Sequence, residues 1–97
     1  MNWRKTLTIF SNQKIDEIML LLEPVGGENK EIVYGWIKEI VEAESESDFY
    51  SSKFSVLSRI EAVINGAKQM REISVYNLAF KLFDAVSRLD YEDVEWS

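Results

Sequence analysis

Four carboxylates fall within seven residues at Glu42-Ala43-Glu44-Ser45-Glu46-Ser47-Asp48. Four more fall within the last eight, Asp90-Tyr91-Glu92-Asp93-Val94-Glu95-Trp96-Ser97. Grouped carboxylates can act as general acids and bases, hold a hard cation, or pair with lysine and arginine on a partner. The first use needs a second player, and the chain has no His and no Cys. The commonest general base, the commonest metal ligand and the thiolate nucleophile are therefore absent, and no enzyme activity is expected. Glu61 lies at the edge of an apolar helical arc. Its carboxylate either reaches solvent from the helix edge or is partly buried and pairs with a cation such as Arg71 or Arg88. Lys53 lies in the same arc, with its stem covering apolar surface and its ammonium reaching water.

The second use is also poorly served. The stretch EAESESD lacks the Asp at the first position and the Gly at the sixth that an EF-hand loop requires. Gly26-Gly27 precedes a helix start, a place that can hold an anion, but Glu28 and Glu31 in that first turn repel phosphate. Neither a metal nor a cofactor is expected.

The third use fits the placement of charge. Net charge is −6. Residues 42–48 carry −4 and residues 90–97 carry −4, so the rest of the chain is +2. Like charges at this density repel unless water or a partner screens them. Aromatics flank both groups, with Phe49 and Tyr50 after the first and Tyr91 and Trp96 within the second. Rings supply buried area while carboxylates pair with basic groups, which is how a small protein grips a cationic cleft. The candidate partner-binding residues are Glu42, Glu44, Glu46, Asp48, Tyr50, Asp90, Tyr91, Glu92, Asp93, Glu95 and Trp96. Taken singly, the first group reads equally as a solvated loop and the second as an acidic tail.

These residues need elements to position them. A chain of 97 residues holds one domain. Trp3, Leu7 and Phe10 recur at i, i+4, i+7, a short helix, although Thr6, Thr8 and Ile9 also suit a strand. Ser11 or Asn12 can cap the next helix, whose stripe is Ile15, Ile18, Met19 and Leu22, widened by Leu20 and Leu21. A further helix starts near Glu28 or Asn29 and carries Ile32, Val33, Trp36, Ile37, Ile40 and Val41. Ser47 or Asp48 caps another, with Val56, Leu57, Ile60, Val63 and Ile64 on its face and Phe49, Tyr50 and Phe54 extending it. It ends near Asn65-Gly66. The last begins between Ala67 and Ser74 and buries Val75, Tyr76, Leu78, Ala79, Leu82, Phe83, Val86 and Leu89, with Phe80 just outside. The fold class is all-α, a compact antiparallel four-helix bundle with room for a short extra N-terminal helix. In an up–down bundle, residues 42–48 and the chain end after Leu89 meet at one end.

The longest apolar run, Ile18 to Leu22, is far short of the roughly 20 residues that span a bilayer. Met1-Asn2-Trp3-Arg4-Lys5 does not open a signal peptide. A pI near 4.6 opposes direct binding to nucleic acid or an anionic membrane. A cytoplasmic protein with a basic protein partner is expected.

With EAESESDFY at 42–50 and DYEDVEW at 90–96, the chain resembles small all-helical bacterial immunity proteins. These are of the colicin type, especially those that neutralise tRNA-cleaving toxins, and of contact-dependent growth inhibition systems. The resemblance covers the whole chain in size, acidity and helical content. It implies an inhibitor that covers the basic active site or substrate groove of a cognate toxin nuclease, as a monomer or in a 1:1 heterocomplex. The +3 of residues 49–89 departs from a uniformly acidic surface. A different class is a helical adaptor or phage-encoded regulatory inhibitor, acting through an apolar face or by homodimerisation at Phe80.

Overall fold

The computed structural model describes residues 13–94. Five helices occur in them: α1 (Gln13–Leu22), α2 (Gly27–Val41), α3 (Glu46–Met70), α4 (Ile73–Ser87) and α5 (Tyr91–Val94). No strand occurs among the described residues, and the fold is the expected all-α bundle. The helix or strand expected at Trp3–Phe10, and the cap expected at Ser11 or Asn12, lie outside them.

The spine is α3, 25 residues and about 37 Å long. Helix α4 folds back along it after a two-residue turn, and this pair packs most extensively. Helix α1 packs on α4, α2 on α3, and α5 on α3, while α1 and α2 have little contact with each other. The core joins Ile15, Ile18 and Leu22 of α1 to Ile37 and Ile40 of α2. Phe49, Val56 and Ile60 of α3 and Leu82, Val86 and Leu89 complete it.

Several faces are rotated from the expected ones. In α1, Ile15, Ile18 and Leu22 are buried but Leu20 is 70% exposed. In α2, Tyr34 is buried whereas Ile32 is exposed, and Val33 and Trp36 are half-buried. The Ile32 side of α2 faces a groove whose other wall is α4 and whose floor is α3, rather than packing directly on a helix. In α3 the buried stripe is Phe49, Lys53, Val56, Ile60 and Ala67. Phe54 and Val63 stand outside it and are exposed. Glu61 is exposed, the solvent-reaching one of its two expected placements. Arg88 instead pairs with Asp84 at 2.6 Å.

The termini show why the helices start and stop where they do. Gly26 is extended and Gly27 opens α2 at φ 53°, a left-handed conformation that glycine adopts without a Cβ penalty. Ser45, not Ser47 or Asp48, caps α3: the Asp48 N–H donates to Ser45 Oγ at 3.1 Å. The spacing explains the choice, because Ser45 has an acidic residue three positions on, as in a capping box, while Ser47 has Tyr50. Helix α3 does not stop at Asn65-Gly66 but runs on to Met70. A glycine inside a helix costs only about 1 kcal/mol, less than the packing along α4 supplies. The real stop is Arg71, at φ 57°. The Glu72 N–H donates to the Ala67 carbonyl at 2.9 Å and the Arg71 N–H to that of Lys68 at 3.3 Å. These bonds form a Schellman closure with arginine where glycine is usual.

Candidate functional site

Lysines from two other helices tie down the C-terminal end of α4 and the turn after it. A helix end leaves carbonyls without intrahelical partners and carries partial negative charge. Helix α4 has no basic residue in its last turn. Other helices supply the cations. Lys53, on α3, is only 7% exposed and donates from Nζ to the Leu89 carbonyl at 2.7 Å. Its ammonium also lies 5.6 Å from the centre of the Tyr50 ring, a cation–π contact. Lys14, on α1, donates from Nζ to the Arg88 carbonyl at 3.1 Å and to Asp93 Oδ2 at 3.0 Å. Asp90 Oδ2 is 3.8 Å from the same ammonium.

The expectation that the Lys53 ammonium reaches water is therefore corrected. Its position within the Phe49–Val56–Ile60 stripe is too central for the side chain to escape. The Leu89 carbonyl, in the turn that follows α4, lies within its reach.

The two clamped carbonyls fix the start of α5. Asp93 Oδ2 accepts the Asp90 N–H at 2.8 Å, and the Asp93 N–H donates to the Asp90 carbonyl at 2.9 Å. Tyr91 is half-buried, its ring centre 5.8 Å from that of Phe49. Phe49 is fully buried and meets Tyr50 edge-on at 4.9 Å. A Tyr91–Phe49–Tyr50 run of rings thus joins the two acidic segments, and they lie at one end of the bundle, as the up–down count requires.

The candidate residues divide by what the fold asks of them. Glu44, Glu46, Asp48 and Glu92 are exposed and make no ion pair among the described residues. Glu46 and Asp48 lie in the first turn of α3, where the helix macrodipole favours negative charge. Glu42 is exposed and 3.7 Å from Lys38, one turn back. Asp90 is exposed but shares Lys14. Asp93 is largely inside, its side chain 17% exposed, and serves the fold. Tyr50 and Tyr91 present part of their rings at the surface. Glu95 and Trp96 lie outside the described residues. Among the described residues no three acidic side chains converge as a bound metal ion would need.

Reasoning on the sequence missed the two lysines as organisers. For Lys53 the signal was a cation inside a stripe that is otherwise apolar. For Lys14 there was none, because its partners are 74 and 79 residues away in the chain.

In comparison with known proteins, no family model matches the chain, and no curated protein or solved structure matches it. Among the described residues no helix is long and apolar enough to cross a membrane.

The lysine clamp has two measurable consequences. Lys53→Met keeps the stem but leaves the Leu89 carbonyl without its donor. Unfolding in urea should show a loss of about 1–3 kcal/mol. A variant as stable as the parent would mean the bond contributes nothing net. Lys14 is held above its ordinary value of 10.5 chiefly by its hydrogen bond to Asp93, against the lowering effect of desolvation and with the charges of Asp93, Asp90 and Glu92 adding to the rise. A raised cation stabilises below its unfolded value and loses that contribution as pH rises through the folded one. The stability gap between the parent and Lys14→Gln should hold at neutral pH and close above pH 10.5. A gap that is constant to about pH 11.5 would contradict the pairing.

Proposed function

We propose that this chain is a non-enzymatic immunity protein that binds a basic nuclease toxin and neutralises it by covering the cationic active site or substrate groove. One observation carries the reading: the two acidic segments form one end of the bundle, with four exposed carboxylates that no basic residue described in the chain pairs. Grouped like charge costs stability in the isolated protein, and a cationic partner relieves it. A nuclease that grips nucleic acid presents lysines and arginines to phosphates, and carboxylates on a rigid end can take the phosphates' place. The half-exposed rings of Tyr50 and Tyr91 give that end apolar contact area between the charges. Asp93 is set aside as a contact because it is used inside, and the interface is centred on Glu44, Glu46, Asp48, Tyr50, Tyr91 and Glu92.

A second reading has its own observation. Met70, Ile73 and Phe80 are exposed near the opposite end, and Phe80 stacks on Tyr76 with ring centres 6.1 Å apart. Such a patch suits an adaptor that dimerises or docks through an apolar helix face.

The test takes basic nuclease toxin domains as candidate partners, any encoded beside this gene first, and finds one that the chain binds and inhibits. It then compares the parent with the variant combining Glu44→Lys, Glu46→Lys, Asp48→Lys and Glu92→Lys. A chain that inhibits none of them would overturn the reading. Association should slow by about tenfold or more at low salt, and the difference should shrink as salt rises. Circular dichroism should be unchanged. Equal association rates for parent and variant would sink the acidic-end mechanism. A stable homodimer in sedimentation, lost in Phe80→Asp, would favour the adaptor.

A further inference from the structure

Between Asp48 and Arg59 the outward surface of α3 carries no charge. The exposed residues of that stretch are Ser51, Phe54, Ser55 and Ser58. The solvent face of a helix ordinarily carries charged side chains. Here three short hydroxyl side chains make a low strip, and one phenyl ring stands out of it, 62% exposed. The buried stripe of Phe49, Lys53, Val56 and Ile60 has no place for that ring, because residue 54 is turned about 100° from residue 53. Carboxylates close both ends of the strip. Glu46, Tyr50, Phe54, Leu57 and Glu61 follow at steps of four, four, three and four, so they run along one side of the helix. Glu46 and Glu61 are exposed, lie about 22 Å apart along the axis, and make no ion pair among the described residues. The cation beside them, Arg59, is engaged by Glu39 of α2 at 3.0 Å.

We infer that this strip is a docking face for the basic partner, and that Phe54 is its anchor. The ring enters an apolar pocket on the partner, between cationic groups that pair with Glu46 and Glu61. The inference rests on the reading of the acidic end as the partner-binding end. Continuity ties the two surfaces together, because Glu46 and Tyr50 belong to both. A partner seated on the acidic end already overlies the first turns of α3. Charge fits as well: a neutral strip with acidic ends complements a basic surface that holds an apolar pocket, and repels an acidic one. The serines complete the geometry. Side chains this short let the partner's backbone come close and keep water from the ring, the setting in which an aromatic anchor contributes most to binding.

The experiment measures association and dissociation rates of the full chain with a nuclease toxin domain that it inhibits. Phe54→Ser should dissociate about thirtyfold faster than the parent, with little change in association. Ser58→Arg, which raises a long side chain on the low strip, should dissociate about tenfold faster. Both positions are exposed, so both variants should keep the parent's urea midpoint. Leu20→Ser removes a comparably exposed side chain from α1 and should dissociate as the parent does. If Phe54→Ser and Ser58→Arg dissociate like the parent while the four-lysine variant associates slowly, the inference is overturned and the acidic end stands as the binding surface. Parent-like rates in all of these variants would overturn both. A homodimer of the isolated chain that is lost in Phe54→Ser would place a second copy on the strip and overturn the inference as well.

Discussion

Two ammonium groups hold the turn that follows α4, and the acidic end of the molecule depends on them. The carbonyls of Arg88 and Leu89 lie where a helix has run out of its own donors. Lys14 comes to them from α1 and Lys53 from α3, so one corner of chain ties three helices together. The hydrogen bond made by Lys53 is buried, where an unpaired carbonyl or an unpaired ammonium would each be costly. The ring run from Tyr91 through Phe49 to Tyr50 closes the same corner with apolar contact. Without this corner, α5 would have only one turn of helix to hold it, too little to stand alone.

The clamp also decides what the acidic residues can do. It consumes Asp93 wholly and Asp90 in part, and it neutralises some of the charge that would otherwise drive the end apart. What stays at the surface is Glu44, Glu46, Asp48 and Glu92, on backbone that is capped or clamped. A charged surface with a fixed shape loses less entropy on binding than an acidic tail would. The molecule is thereby polarised, with a charged end built on lysine and rings and a groove between α2 and α4 that is lined by apolar residues among those described.

Much of this was legible in the residues. The helical class, four of the helices and the meeting of the two acidic segments follow from apolar periodicity and from counting directions in an up–down bundle. The core of α4 was readable because its apolar arc is broad and its polar residues cluster opposite. Failures came where tertiary contact overrides local pattern. The side of α2 that Ile32 marks looks like core, and only the gap between α2 and α4 makes it a groove wall. Asn65-Gly66 looks like a stop, yet packing along α4 carries α3 through it to a left-handed Arg71. Lys53 looks like a residue that escapes to water, because the carbonyl that receives it belongs to a turn 36 residues on. Such long-range pairings leave no local trace.

The claim that matters most is where a partner sits. Amide hydrogen exchange on the chain mixed with a nuclease toxin domain that it inhibits reads this directly, without altering either protein. A nuclease seated on the acidic end slows exchange at residues 44–50 and 90–93 together, because one surface carries both. Protection confined to the Ile32 groove or to the Met70–Phe80 patch, with those two segments exchanging as in the isolated protein, would contradict it.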